Sequence, residues 1–490
     1  GLGATSPEAV RVALADAHPE VRRHALRVGE WVLKGSPALG AAMVRLADDP
    51  EPRVRFQLAL TLGGWDDPRA GRALAGLLRR DADDPWLRAA VLSSATPHAA
   101  TILTSLFAEG RAEMLPEAAV VPLFGLAGAL RGQAGLAAVV RAVATPEGPE
   151  GRHAPWQFSA LAGLLDAADR ARTSLDEWGR SDAELKQAIA GLSGLFGAAR
   201  QRAADAHTPE DQRLAAVRLL GREPGQVDAD RQRLTELLRP QVPSSVQGAA
   251  VAALGRARDP KVAEALLAGW RGYTPGLRGS VLDTLLSREA WTGALLSSLE
   301  DTCVPAAEID PVHRRRLLDH ADAALRRRAA AVFAEAGGPR SQVIERYRAA
   351  LELPGHPEAG AVVFRKICAS CHRLDGQGTE VGPDLATLTD KSPETLLTAI
   401  LDPNRAFEAK YTNFTVATLD GRVLSGMIAG ETAVGVTLRR QEGQQDDLLR
   451  DEIEAIAGSG QSLMPEGLEQ DLSPQDLADL IAYLRGDRKR

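Results

Sequence analysis

Aromatic residues and long apolar runs are both scarce in this sequence. Aromatic residues make up 4% of the 490 residues, which favours helices packed through small side chains over aromatic-rich β-sandwiches. No apolar run approaches the roughly 20 residues needed to span a bilayer, so no transmembrane segment is predicted. The chain also begins at Gly1 without the basic and apolar regions of a signal peptide, and we interpret it as a mature form or as part of a longer protein.

Familiar catalytic motifs are also missing from the first 350 residues. They contain no Gly-Lys-Ser/Thr phosphate loop, no His-Glu-x-x-His and no Gly-x-Ser-x-Gly. This part of the chain is therefore not expected to hydrolyse nucleotides or to act as a zinc or serine hydrolase. A chain of this length is too long for a single hydrophobic core, so at least two domains are expected.

Turn signals recur at a fixed interval in the first part of the chain. Arg22, Arg55 and Arg88 lie 33 residues apart, each shortly after a proline. Between them Ala and Leu recur at helical spacing, so each interval is predicted to be a helical hairpin that begins at its proline. Asp49 and Asp84 directly precede such prolines and are expected to cap the helices, and the following arginine is expected to reach back to the aspartate.

These turns resemble those of HEAT repeats. The resemblance covers most of residues 1–350, although the period is poor between about 100 and 206, and residues 144–156 are predicted to form a loop or insertion. It implies an α-solenoid, whose concave surface usually holds a partner or a domain. A globular helical domain is the alternative, because the periodicity is weak in the middle.

Only three cysteines occur, and two of them form one motif. Cys368-Ala-Ser-Cys371-His372 has the paired thiols and adjacent histidine needed to attach a c-type haem covalently, with His372 as the proximal iron ligand. A thioredoxin-like redox site and half of a zinc site are the alternatives, but they require a βαβ context and two further ligands, respectively. Cys303 is expected in the core or at a partly buried surface, because free cysteine behaves as a small apolar residue.

The residues on either side of this motif resemble the small cytochromes c. In that fold the first and last helices cross, with a glycine of the first helix allowing close approach. Gly360 and Phe364 fit the first helix, and Leu480 and Tyr483 fit the last. The last helix is expected to begin at Ser473, since a serine cap precedes a proline.

The resemblance also implies roles for two loops. Pro383 would accept a hydrogen bond from the second ring nitrogen of His372 and so orient it. Met464 would be the distal iron ligand. Of the other methionines, Met43 and Met114 belong to the repeats, and Met427 lies in a strand-like segment where it is expected in the core.

Residues 355 to about 486 are similar in particular to the c-type haem domain of planctomycete and verrucomicrobial type. The segments that carry the similarity are residues 368–376, 381–385, 399–405, 410–411, 420–422 and 462–467. Proteins with this domain are often large, membrane-associated and dehydrogenase-like. They often carry HEAT repeats just before it and a sugar-dehydrogenase-like β-propeller earlier still. The sequence contains no such propeller, so we expect any dehydrogenase chemistry to lie outside this chain.

Residues 411–457 separate His372 from Met464 and change the pattern from helical to alternating. They predict a small β-meander with strands at residues 411–418, 422–429 and 434–439 and a hairpin at Asp420-Gly421. Such an insertion would shield the haem edge or hold a partner, or would serve only to stabilise the domain.

The predicted fold is therefore mainly α, with an α-solenoid of HEAT-like repeats at residues 1–350 and a cytochrome c-like helical domain at 355–490 that contains the β-rich insertion. The predicted function is electron transfer by one covalently attached haem c, as an accessory part of an extracytoplasmic dehydrogenase system. Because attachment of haem c is completed outside the cytoplasm, we expect a periplasmic or other extracytoplasmic location. The alternatives are a haem enzyme, a gas or redox sensor with a labile distal ligand, and a scaffold whose haem is secondary.

Charge is divided unevenly between the two predicted regions. From residue 355 onward there are 14 Lys+Arg and 22 Asp+Glu, a balance of −8, which leaves +1 for the rest. The acidic end would repel nucleic acid, so none is expected as a partner. It would steer a basic redox partner protein, although an acidic face also aids solubility. Since haem c moves single electrons, this chain alone is not expected to oxidise a sugar or an alcohol.

Overall fold

The computed structural model describes residues 6–107, 117–129, 135–146, 151–257, 259–335, 340–405 and 407–486. The chain divides into two compact units, which we call the first unit (Gly1–Asp230) and the second unit (Arg231–Arg490). The division falls inside the predicted repeat region. The second unit therefore contains the later repeats together with the haem-attachment motif.

The first unit is built of short helices, many of which begin with a proline in the first turn. They are α1 (Pro7–Ala13), α2 (Pro19–Gly29), α3 (Pro37–Met43), α4 (Pro52–Leu62), α5 (Pro68–Arg80), α6 (Pro85–Ser94), α7 (Ala99–Phe107), α8 (Glu117–Ala129), α9 (Leu136–Ala144), α10 (Pro155–Arg170), α11 (Leu175–Ser181), α12 (Ala183–Ala190), α13 (Ser193–Ala204) and α14 (Glu210–Val217), with α15 (Val227–Glu236) at the boundary. Contacts run from α2 to α4, α6, α8 and α10 in turn, and in parallel from α5 to α7 and α9. These two stacked rows are the arrangement expected of helical hairpin repeats.

Arginines of the repeated turns link consecutive hairpins. Arg22 donates from Nε and Nη2 to Asp49 at 2.7 and 2.8 Å, and Arg55 donates in the same way to Asp81 at 2.8 and 2.7 Å. The expectation that the arginine reaches back to the preceding aspartate holds for Arg55 but not for Arg88. Arg55 Nη1 donates to the Asp49 carbonyl oxygen at 2.7 Å, because the Asp49 carboxylate already accepts from Arg22 and from the backbone N–H of Glu51. Arg88 Nη1 donates instead to the carbonyl oxygen of Ala82 at 2.7 Å.

The second unit combines further helices with two sheets. Its helices are α16 (Ser244–Arg256), α17 (Lys261–Ala268), α18 (Pro275–Leu285), α19 (Glu289–Glu300), α20 (Pro311–Leu318), α21 (Ala323–Glu335), α22 (Ser341–Tyr347), α23 (Pro357–Val363), α24 (Pro393–Leu401) and α25 (Pro474–Arg485). Its strands are β1 (Arg373–Leu374), β2 (Gln377–Gly378), β3 (Thr412–Thr418), β4 (Val423–Glu431), β5 (Gly435–Arg439), β6 (Gln445–Leu449) and β7 (Ile453–Ser462).

Helices α23 and α25 cross at a glycine. A Cβ atom at Gly360 would lie 2.0 Å from the backbone oxygen of Asp479, so only glycine fits this approach. One turn further on, the rings of Phe364 and Tyr483 lie 5.6 Å apart between their centres. Ser473 caps α25 by accepting from the backbone N–H of Asp476 at 3.1 Å, as its sequence predicts.

The insertion is a five-stranded antiparallel sheet with the order β6-β5-β4-β3-β7. Strands β3, β4 and β5 lie close to their predicted positions. The last strand, β7, pairs with β3 and runs to Ser462, so the insertion extends past its predicted end at residue 457 and leads directly into the Met464 segment.

A buried ion pair lies between this sheet and the repeat helices of the second unit. Arg278 of α18 and Glu308 are each 1% exposed, with a nitrogen–oxygen distance of 2.9 Å. The guanidinium lies over the rings of Trp270 and Phe414, at 5.2 and 5.0 Å from their centres. A Cβ at Gly458 of β7 would lie 2.3 Å from Arg278 Nη2, which shows how closely the sheet approaches.

Two polar side chains anchor the start of β7 and the residues just before it to the loop between α15 and α16. Gln241 Nε2 donates to the carbonyl oxygens of Ile453 and Glu454 at 3.0 and 2.8 Å. Arg450 Nη1 donates to the carbonyl oxygen of Pro240 at 2.6 Å. The sheet is therefore packed on the later repeats as well as joined to the haem-attachment domain.

Cys303 is exposed, so the expectation of a core or partly buried position was wrong. It lies in the turn that follows α19, where Thr302 has a φ of 56° and redirects the chain. The next residue, Val304, is 0% exposed and fills the apolar position instead.

Candidate haem site

The attachment motif forms a compact turn at the end of the first helix of the domain. Residues Phe364–Cys368 form a π-helical turn, in which the Ala369 N–H donates to the Phe364 carbonyl oxygen at 2.9 Å. The His372 N–H then donates to the carbonyl oxygen of Cys368 at 2.8 Å. This folding places both cysteines and the histidine against one cavity.

His372 is oriented by the loop that follows it. Its Nδ1 lies 2.9 Å from the carbonyl oxygen of Pro383, so Nδ1 carries the proton and donates it, while Nε2 is left to act as a ligand. A Cβ at Gly382 would lie 2.6 Å from the His372 ring, and the Gly382 N–H donates to the Cys371 carbonyl oxygen at 2.6 Å. Burial lowers the pKa of His372, which keeps the imidazole neutral.

Both motif thiols are stabilised in the protonated form. Burial, with a smaller contribution from the neighbouring Cys371, raises the pKa of the Cys368 thiol to about 11. Burial also raises the pKa of Cys371. The attacking cysteine of a thioredoxin-like site needs a lowered thiol pKa, so these surroundings oppose that alternative.

A cavity of about 1210 Å³, counting the space open to solvent at its mouth, lies beside the motif. Cys368, Cys371, His372, Pro383 and Met464 all line it, so the structure brings together every site residue predicted from the sequence. The rest of the lining is mainly apolar and includes Leu385, Leu388, Leu396, Ile400, Leu480 and Leu484. Such a lining suits a flat apolar group held by a few polar atoms.

The four methionines occupy different surroundings. Met464 lines the cavity, whereas Met427 is 6% exposed in β4 and is not part of the lining. Met43 is buried in α3 of the first unit. Met114 lies outside the described residues.

Sequence reasoning assigned no role to several residues at this site. Glu408 and Tyr411 also line the cavity, and Lys410 bonds the Glu408 carboxylate at 2.7 Å and lies 4.9 Å from the centre of the Tyr411 ring. Asn404 bonds to the segment that carries Met464. Tyr411 and Asn404 both lie in segments of family resemblance, but a motif alone does not reveal which neighbour a side chain contacts.

The turn between β5 and β6 touches the attachment motif. The Glu442 N–H donates to the carbonyl oxygen of Ser370, which lies between the two cysteines, at 2.9 Å. Arg439 Nη1 donates to the carbonyl oxygen of Glu380 at 2.8 Å. The insertion therefore covers part of the motif, and its sheet also leads into the Met464 segment.

Two family models match the chain, HEAT repeats at residues 7–95 and cytochrome c at residues 357–429. The cytochrome c match lies in the second unit and includes the attachment motif. This match supports covalently bound haem c with its iron, and a haem-based electron-transfer role beside a HEAT repeat scaffold. It ends at residue 429, before Met464 and α25.

Several solved structures show weak similarity. Kap121p bound to Pho4p is 13% identical over 74% of this chain and 40% of that chain, with a TM-score of 0.41. The complex of CpcE and CpcF of phycocyanin lyase from Nostoc sp. is 15% identical over 61% of this chain and 95% of that chain, with a TM-score of 0.21. The chain thus spans 40% of the Kap121p chain it matches. The predicted mainly α class with HEAT-like repeats is confirmed by the described helices and the HEAT repeat match.

The cavity fits the group that a cytochrome c domain implies. Cys368, Cys371 and His372 line an apolar space, and the glycine at 382 leaves room for the imidazole where a Cβ would collide with it. No helix among the described residues is long and apolar enough to cross a membrane.

Proposed function

We propose that this chain is an electron carrier of the planctomycete and verrucomicrobial haem-domain type, with one haem c bound through Cys368 and Cys371 and its iron ligated by His372 and Met464. The observation that carries the proposal is that these four side chains line a single, mainly apolar cavity. When bound, haem c supplies one-electron redox chemistry, and histidine–methionine ligation raises its potential.

The residues of the chain have defined tasks in this proposal. Pro383 accepts the Nδ1 proton of His372 and fixes the tautomer that presents Nε2. The leucine-rich lining excludes water from the site. Such an environment would favour the redox state of a bound haem that has the lower net charge. The contacts of Arg439 and Glu442 hold the insertion over the attachment motif, where it shields one side of the site.

We further propose that the chain works outside the cytoplasm beside a dehydrogenase partner. The location is supported by the chemistry of covalent attachment, which is completed outside the cytoplasm. The partner is supported by the resemblance to haem domains of dehydrogenase-like proteins. The balance of −8 after residue 354 suits a basic docking surface, so electron transfer should slow as salt rises.

The test compares haem-loaded Met464→Ala and Met427→Ala variants with the unaltered chain. Mass spectrometry after denaturation should show one covalent haem in all three. The weak far-red sulfur–iron absorption band of the ferric protein should disappear only in Met464→Ala, because Met427 lies in the sheet outside the cavity.

Two results would contradict the proposal. A sulfur–iron band that survives Met464→Ala would show that another residue is the distal ligand. A high-spin ferric spectrum in the unaltered chain, together with steady substrate turnover in the absence of any partner, would favour the haem enzyme or sensor alternative.

A further inference from the structure

The segment 399–405, which carries part of the family resemblance, builds a turn beside the cavity. Helix α24 ends at Leu401, because the proline at position 403 cannot continue it. The Arg405 N–H donates to the Asp402 carbonyl oxygen at 3.1 Å, so residues 402–405 form a β-turn with Pro403 second and Asn404 third, both favoured residue types. The turn directs the Asn404 side chain toward the Met464 segment.

The Asn404 carboxamide joins both ends of that segment. Its Oδ1 accepts from the Ser462 N–H at 2.7 Å, and its Nδ2 donates to Glu466 Oε1 at 2.7 Å. A backbone donor at one end and a carboxylate acceptor at the other require a side chain with one acceptor and one donor, which an amide supplies and a carboxylate does not. The chain contains only two asparagines, the other being Asn413.

Further bonds hold the interior of the segment. The Leu463 N–H donates to the Tyr411 carbonyl oxygen at 3.0 Å, and the Met464 N–H donates to Ser462 Oγ at 3.1 Å. Arg340 lies 3.7 Å from the Glu466 carboxylate. The backbone is thus held by hydrogen bonds up to Met464, and the segment beyond it is held through the Glu466 side chain, while Met464 lines the cavity.

We infer that Asn404 is a positioning residue that clamps the loop at residues 462–466 and so keeps Met464 in the cavity. This rests on the proposed role of Met464 as the distal ligand. Without the clamp the loop opens more often, and an added ligand competes more easily for the vacated position. One net hydrogen bond shifts such a local equilibrium roughly two- to tenfold, so the loss of two should shift it at least about fivefold.

The experiment uses the haem-loaded full chain with Asn404→Ala, and Asn413→Ala as the matched control. Asn413 lies in β3 and accepts a hydrogen bond from Ser425 Oγ of β4 at 3.1 Å. It does not line the cavity. Asn404→Ala should tighten imidazole binding to the ferric protein at least about fivefold and weaken the sulfur–iron band. It should also speed amide hydrogen exchange of a peptide covering residues 462–466, while Asn413→Ala changes none of the three.

A charge-swapped variant provides the rescue. Asn404→Asp alone places a carboxylate against Glu466 and should open the loop. Asn404→Asp combined with Glu466→Gln exchanges donor and acceptor, keeps the acceptor for the Ser462 N–H, and should restore slow exchange and weak imidazole binding.

The outcomes separate the clamp from the ligand assignment. If Asn404→Ala behaves like Asn413→Ala, or if the combined variant is no better than Asn404→Asp, the clamp is overturned. If the unaltered chain has no sulfur–iron band but Asn404→Ala still speeds exchange at residues 462–466, the clamp stands and the proposed ligand fails.

Discussion

The buried pair of Arg278 and Glu308 allows a quantitative test of how the sheet is held on the repeats. Glu308→Gln keeps the volume of the side chain and an oxygen that can accept from Trp270 Nε1, which donates to Glu308 at 2.6 Å. It removes the charge that faces Arg278, whose side chain is 1% exposed. The substitution therefore leaves a guanidinium without its counter-charge among aromatic rings.

Removing one partner of a buried ion pair costs about 3–5 kcal/mol, because the remaining charge stays desolvated. The contacts of the guanidinium with the rings of Trp270 and Phe414 are the same before and after the substitution, so they do not change this cost. We therefore expect Glu308→Gln to destabilise the interface by about 3–5 kcal/mol. Replacing both partners, as in Arg278→Met with Glu308→Gln, keeps the acceptor for Trp270 Nε1 and should cost no more than about 1 kcal/mol, since neutral replacements of a buried pair are often tolerated.

Native-state hydrogen exchange measures the change in stability locally, at the interface between the sheet and the repeats. The free energy of opening in peptides from β3 and β7 should fall in Glu308→Gln and recover in the double variant, while peptides from α4 in the first unit should not change. The reasoning would be refuted if Glu308→Gln changed the opening free energy by less than about 1 kcal/mol, or if the double variant opened as readily as the single one.

Two glycines provide further predictions. Gly360→Ala forces α23 away from the backbone oxygen of Asp479 and should lower the unfolding free energy by about 1–3 kcal/mol or more in denaturant titrations, whereas Gly279→Ala, in open space on α18, should be neutral or slightly stabilising. Equal effects of the two substitutions would contradict the close crossing. Gly382→Ala should displace the ring of His372. The covalent haem should still be detected by mass spectrometry, but its absorption spectrum should change. An unchanged spectrum would show that the loop moves instead of the ring.

The features that could be predicted from the sequence are those with a local cause. Ser473 and Asp84 cap helices because their short side chains accept from backbone N–H groups two or three residues ahead. The residues of the haem motif are likewise neighbours in the chain. By contrast, Arg22 bonds Asp49 of the next hairpin, a partner that depends on how the helices stack.

Strands β6 and β7 were not predicted, for a similar reason. Strand β6 reads Gln-Asp-Asp-Leu-Leu, which has little intrinsic preference for a strand. It forms because its polar side chains find partners in the structure: Asp447 accepts from Thr437 at 2.6 Å and Asp446 from Arg440 at 2.7 Å. Strand β7 contains Gly458 and Gly460, and each lies at a close approach to the repeats that no local pattern reveals.

The sheet also resolves how two residues 92 positions apart come to share one cavity. A flexible connection of that length between His372 and Met464 would be costly to close. Here the pairing of Thr412 with Ser462 returns the chain to the start of the insertion, so only a short loop remains to carry Met464. Helix α25 then follows and packs across α23, which leads into the attachment motif. The insertion therefore separates the two residues in sequence but brings the segments that carry them together in space, and the contacts of β7 with the later repeats connect the loop of Met464 to the scaffold.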